Sequence, residues 1–324
     1  MGLTGAKPRR KARAMVSTRI LCTDLAGLRA QALGLAEAAG LDAEIRNLVP
    51  RPPWDRFSPS LWPNPRRAVE GDAIVEPLPG ILIGCGGAGA RVVAALRRPG
   101  VKVVAVQHPR MALDKFDLVM AARHDGITGP NVVVTRTALH RVTLARLAAE
   151  KLLWAPRLAA QKRPLVAVLL GGSNGRYRFE APLALELAVQ LGAMMKRDGA
   201  GLVVTPSRRT APDVVRILRD VLEPQGAWVW DGEGENPYFG MLACADAIIA
   251  TADSVSMVSE AVATSAPVFL VRLPGKSKRI GAFMDALVAD GRVRDFAGRL
   301  ELWDTEPLDD TAMAGAELRR RLGL

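Results

Sequence analysis

Several short stretches of this chain combine residue types that handle phosphate and protons. The stretch ILIGCGGAGARVVAALRR, residues 81–98, sets Gly84, Gly86 and Gly89 in the spacing G-x-G-x-x-G after an apolar run. In a dinucleotide fold such a motif follows the first strand, and an acid about 20 residues on holds the ribose. Here the motif lies in mid-domain, and the next apolar run, VKVVAV, ends in Gln107 and His108. The glycines therefore read as a cleft-side turn that lets a helix pack close to its strand. A nicotinamide-dependent epimerase reading is disfavoured on the same ground.

The second half of the chain carries more of the phosphate-type chemistry. The run PLVAVLL ends in Gly171-Gly172-Ser173-Asn174. Glycines let backbone N–H groups turn toward an anion, and hydroxyl and amide groups add donors. Ser207-Arg208-Arg209-Thr210 follows the next apolar run, and guanidinium forks match phosphate oxygens. TADSVSMVSEA, residues 251–261, ends a strand and starts a helix capped by Asp253 or Ser254, with Ser256 in its first turn. The free N–H groups of such a turn suit a diphosphate. Glu260 lies one to two turns in, able to reach a ribose hydroxyl. Asn236-Pro237 marks a further helix start, with Asn as cap and Pro in the first turn.

For proton transfer the first half offers Asp24, after ILCT, and His108, after VKVVAV. A general base near neutral pKa suits deprotonation of an acceptor hydroxyl. Pro109 restricts His108 to extended backbone, so the ring leaves the strand end in a set direction. His124 is a second candidate, and His140 reads as structural. The three histidines show no local ligand spacing, so no metal site is expected.

These residues fall where apolar, β-rich runs give way to helical patterns. Such alternation implies parallel sheets covered on both faces, with ligands outside the carboxyl ends of the strands. The pattern restarts at Pro164, after the helical connector LARLAAEKLLWAPRLAAQ. The expected organisation is a disordered basic arm over 1–16, an N-terminal Rossmann-like domain over 17–150, a C-terminal nucleotide-binding Rossmann-like domain over 164–300, and a final helical segment over 301–324. The fold class is α/β, two Rossmann-like parallel-sheet domains facing across a cleft. Residues 51–66 are too rich in proline for regular structure and form an irregular excursion.

Composition narrows the function classes. The net charge is +11 over 324 residues, which suits phosphate-bearing partners or an acidic membrane surface. Aromatic content is only 5%, too little for single-strand stacking platforms, and no sequence-specific nucleic-acid partner is expected. Three widely spaced cysteines fit a reducing compartment better than a disulfide framework. The opening MGLTGAKPRRKARAMVS has no apolar core, so it does not read as a secretory signal. No apolar run reaches a membrane span. A cytoplasmic location, at most peripheral to a membrane, is expected.

The run from GGSNG to LPG resembles the C-terminal domain of GT-B glycosyltransferases, particularly the MurG type. The matching residues are Gly171-Gly172-Ser173, Ala245-Asp246, Asp253-Ser254, Glu260 and Pro267. This resemblance implies a diphosphate near Ser173 and Ser254, a ribose near Glu260, and a last helix that crosses back to the first domain. Longer motifs, LCTDLAGLRAQALGLAE, FDLVMAARHDG, GPNVVVTRTALHRVT, GGSNGRYRF, TPSRRTAP and WDGEGENPYFGMLACADAIIATADSVSMVSEA, resemble the mitochondrial fission family. Its plant founder helps bring a dynamin-related protein to mitochondria, and its bacterial members are often labelled nucleoside-diphosphate-sugar epimerases. Two functions follow as expectations. One is a glycosyltransferase-like enzyme that uses a nucleotide-sugar donor as ligand and needs no other cofactor. The other is a non-catalytic adaptor that works through protein partners at a membrane.

Overall fold

The computed structural model describes residues 17–324, so the basic arm expected over residues 1–16 lies outside the described residues. In chain order come β1 (Thr18–Cys22), α1 (Ala26–Ala38), β2 (Ala43–Asn47), β3 (Ile81–Cys85), α2 (Gly86–Ala95), β4 (Lys102–Val106), β5 (Leu118–Ala122) and β6 (Val132–Thr135). After α3 (Leu144–Trp154) the pattern begins again with β7 (Leu165–Leu170), α4 (Ala181–Asp198), β8 (Gly201–Pro206), α5 (Pro212–Leu222), β9 (Trp228–Val229) and α6 (Tyr238–Cys244). It continues through β10 (Ala247–Thr251), α7 (Val255–Val262), β11 (Val268–Val271), α8 (Lys278–Ala289), β12 (Val293–Asp295) and α9 (Thr311–Leu322).

The strands form two six-stranded sheets, ordered β2-β1-β3-β4-β5-β6 and β12-β11-β10-β7-β8-β9. Every pairing is parallel. Successive side chains of a strand point to opposite faces, and the near-continuous apolar runs show that both faces are covered. In β7, Leu165, Ala167 and Leu169 join one buried cluster, while Val166, Val168 and Leu170 join the other. In β1, Leu21 faces one cluster and Ile20 and Cys22 face its opposite. The fold is therefore α/β, with a parallel sheet in each half.

The glycine motif of β3 and α2 serves close packing. A Cβ on Gly84 would sit 2.5 Å from the Gly89 carbonyl oxygen, and one on Gly89 would sit 2.4 Å from the Leu21 carbonyl oxygen. Gly86 takes φ +75°, which a side chain rarely tolerates. The three glycines thus let α2 lie directly on β3 and β1. The proline-rich excursion holds short 3₁₀ turns at Trp54–Arg56 and Pro59–Leu61, and a bridge between Pro50 and Val69 ties its ends.

Two crossings join the halves. The first runs from β6 to α3 and contains Arg136; the second precedes α9 and contains Asp310. The Arg136 guanidinium donates to both Asp310 carboxylate oxygens, and its backbone N–H donates to Oδ2 at 2.7 Å. The crossings are thereby tied to each other. Beyond them α9 lies on α1: Gly315 faces the Ala38 backbone, Ala314 and Leu318 are buried with Ile20 and Leu35, and Arg319 donates to the Ala39 carbonyl at 2.9 Å.

Candidate functional site

The carboxyl ends of the two sheets face each other. On the second half, the loops after β7, β8 and β10 converge on the N-terminus of α7. Asp253 is the knot of this convergence, with no exposed side-chain surface. Its carboxylate accepts from Thr251 Oγ1 at 2.7 Å and Gly172 N at 3.3 Å, and lies 2.8 Å from Arg209 Nη2. A Cβ on Gly171 would sit 2.1 Å from Asp253 Oδ1, and one on Gly172 would sit 2.0 Å from the Arg209 carbonyl oxygen. The glycine pair is therefore needed to let three loops meet. The buried Asp253 carboxylate fixes the Arg209 guanidinium, which remains partly exposed.

The hydroxyl and amide oxygens singled out from the sequence are mostly engaged within their own loops. Ser173 Oγ accepts from Phe179 N at 2.8 Å. Asn174 Oδ1 accepts from Arg176 N and Tyr177 N at 2.9 and 3.1 Å, which closes an Asx turn. Ser207 Oγ donates to the Gly171 carbonyl at 3.0 Å. Asn236 Oδ1 accepts from Tyr238 N at 3.0 Å, although α6 takes no side-chain cap. Ser254 is the N-cap of α7 and accepts from Met257 N at 3.3 Å. The first N–H groups of an α-helix have no intrahelical partner, so with Met257 capped, those of Val255 and Ser256 remain at the cleft end of the helix. What this end of the cleft leaves open is backbone N–H groups and the guanidinium groups of Arg208 and Arg209.

Glu260 departs most from an ordinary helical glutamate. It is buried, and the Tyr238 hydroxyl donates to its Oε2 at 2.6 Å. Burial pushes its carboxyl up to about 7, against the lowering pull of the Tyr238 hydroxyl and the Arg146 guanidinium. Ser256 precedes it by one turn and so shares its face of α7.

Across the cleft, α1 meets α7 so closely that a Cβ on Gly27 would lie 2.7 Å from Ser256 Oγ. Gln31, buried on α1, donates to Ser256 Oγ at 2.9 Å and accepts from Gln107 Nε2 at 3.1 Å. Gln107 holds φ +75°, uncommon for a side-chain-bearing residue and a mark of a constrained strand end. Asp24 lies 3.4 Å from Arg29 and 3.7 Å from Arg208. The structure thus brings Asp24 to the phosphate-type loops. His108 has a local bond: its Nδ1 accepts from Arg110 N at 3.0 Å. His124 is tucked between the halves against Phe283, with ring centroids 5.0 Å apart, and burial pushes it down to about 4. His140 is buried, with Nε2 3.3 Å from Asp309.

Gln31, Thr251, Tyr238 and Arg146 belong to the site and were not singled out by sequence reasoning. Gln31 sits in an alanine- and leucine-rich helix, and Tyr238 is 22 residues from its partner. The one available signal was the isolated amide on an otherwise apolar helical face.

Solved structures share this fold. Among solved structures, a UDP-GlcNAc 2-epimerase from Methanocaldococcus jannaschii, in complex with UDP-GlcNAc and UDP, matches with TM-score 0.59 and 14% identity, covering 95% of this chain and 99% of that one. The glycosyltransferase SnogD from Streptomyces nogalater matches with TM-score 0.52 and 14% identity, covering 95% of each chain. The fold is therefore GT-B-like. Among the described residues no helix is long and apolar enough to cross a membrane. The mitochondrial fission protein ELM1 of Arabidopsis thaliana is 34% identical over 274 residues, which is 75% of this chain and 64% of the relative. The chain thus spans somewhat less than two thirds of that relative's length. The sequence model described as mitochondrial fission ELM1 matches residues 26–322, and the chain belongs to that family.

Proposed function

We propose that the second half binds a nucleoside diphosphate and that the cleft presents the sugar of a nucleotide-sugar donor to the first half for transfer. The diphosphate lies at the N-terminus of α7, beside Arg208 and Arg209, and the ribose lies at Glu260. The observation that carries this reading is the convergence of three strand-end loops on that helix terminus, with Asp253 holding Arg209 at 2.8 Å. Free N–H groups, a helix dipole and a fixed guanidinium are the elements that recognise phosphate. The M. jannaschii neighbour's complex with UDP-GlcNAc and UDP, on the same fold, supports the ligand class. Asp24, beside Arg208, and His108, whose Nδ1 takes a local N–H, are the candidate bases for the acceptor hydroxyl.

Membership of the fission family favours a second reading, an adaptor that keeps the nucleotide pocket and acts through a protein partner or at an acidic membrane surface. Turnover separates the two. Incubation with UDP-sugar donors and an acceptor pool should release UDP, and a folded Asp24→Asn or His108→Ala variant should lose that release. Tight donor binding with no release by the wild type would overturn transfer and support the adaptor.

A further inference from the structure

The face of α8 that meets the first half carries Arg279, Ala282, Phe283, Ala286, Leu287 and Asp290. Their spacing of three and four puts them on one stripe. At one end of the stripe Arg279 lies 2.7 Å from Asp125 of the first half, whose side chain is buried. Further along, the two alanines leave a hollow of about 190 Å³. Its walls are Phe283, Ala282, Ala286, Leu287 and Leu308 from the second half and its crossing, and His124, Arg123 and Arg136 from the first. An apolar cavity of about 150 Å³ is enough to take benzene. This one is larger, and both crossings wall it.

Its polar groups are few and unequal. Arg136 is held by Asp310. Arg123 makes no close ion pair among the described residues, although its charge adds to the pull on the Asp310 carboxylate. Neither ring nitrogen of His124 has a hydrogen-bond partner among the described residues, although both are buried. Asp290 lies at the rim as the opposing charge.

We propose that this cavity binds a small carboxylate with an apolar body, an aromatic acid being the best fit, with the ring against Phe283 and Leu287 and the carboxylate on Arg123. The site is separate from the nucleotide reading and does not depend on it. The cavity's volume sets the size of the body, and the exposed Arg123 guanidinium sets the sign of the head group.

Fluorine NMR titration with 4-fluorobenzoate, 4-fluorobenzamide and 4-fluorobenzylamine tests this on the full chain. The benzoate should saturate with a Kd on the order of 1 mM, the affinity expected of so small a ligand. The amide and the amine should bind at least about tenfold more weakly, the loss of a charge-assisted hydrogen bond. Arg123→Gln, at an exposed position, should weaken the benzoate about tenfold while leaving the amide within about twofold. Ala286→Phe should abolish binding by filling the hollow. Equal binding of the three probes, stronger binding of the amine, no saturation by benzoate, or unchanged benzoate binding to a folded Arg123→Gln protein would each overturn the proposal.

Discussion

Glu260 and Gly172 show how single residues serve the candidate site. A buried carboxyl that titrates near 7 instead of 4.5 binds its proton more tightly in the folded state than in the unfolded one. Folding stability contributed by Glu260 is then fully present below about pH 4.5 and is lost as pH rises toward 7. Glu260→Gln removes this titration and keeps an oxygen for the Tyr238 hydroxyl. The variant should gain on the wild type as pH rises through that window, by at most about 3 kcal/mol, and no further above it. Denaturant unfolding at pH 5 and pH 8 reads the difference; a gap that does not change with pH contradicts the shifted carboxyl. Gly172 has the opposite character, since its role is to be absent. A methyl there would meet the Arg209 carbonyl oxygen at 2.0 Å, and backbone cannot swing aside. Gly172→Ala should cost about 1–3 kcal/mol or more, read as a lower denaturation midpoint. A midpoint equal to the wild type's would mean the two loops do not meet.

Among the elements, α9 is the one that returns from the second half to lie on α1. TAMAGAELRRRLGL announces a helix by its alanines, leucines and final arginines. What it packs on is set by Gly315, which lies against the Ala38 carbonyl carbon at 2.5 Å from any added Cβ. Alanine is the better helix former by about 1 kcal/mol. Even so, Gly315→Ala should destabilise the protein by about 1–3 kcal/mol, because it pushes α9 from α1. A more stable variant would show that helix propensity outweighs the contact. The strands were legible for a plain reason: runs such as LVAVLL are apolar on both faces and bounded by glycine or proline. The glycine motif at 84–89 was legible as a turn, because no acid follows it where a ribose would need one. The bond from Gln31 to Ser256 spans 225 positions and was not legible, since nothing in a helical pattern says which other helix it will touch. Ser173 and Asn174 were legible as polar loop residues, but not in the local bonds they make. Their types promised ligand donors, but their oxygens satisfy the backbone of their own loop, which any tight turn must do first.

At the scale of the whole molecule, two parallel sheets turn their carboxyl edges toward each other, and the loops that carry charge collect between them. The family and the GT-B-like fold are established; the ligand is the point on which the functional reading turns. A ligand held by both phosphate and ribose contacts should distinguish a nucleoside diphosphate from a bare diphosphate. Calorimetric titration of the wild type and Glu260→Ala with UDP, GDP and inorganic pyrophosphate is the most direct measurement. Saturable binding of UDP or GDP is expected, with Glu260→Ala weakening it about tenfold or more and leaving pyrophosphate unchanged. No binding of either nucleotide by the wild type at millimolar concentration would contradict the account, and equal nucleotide affinity in the two proteins would contradict the ribose contact.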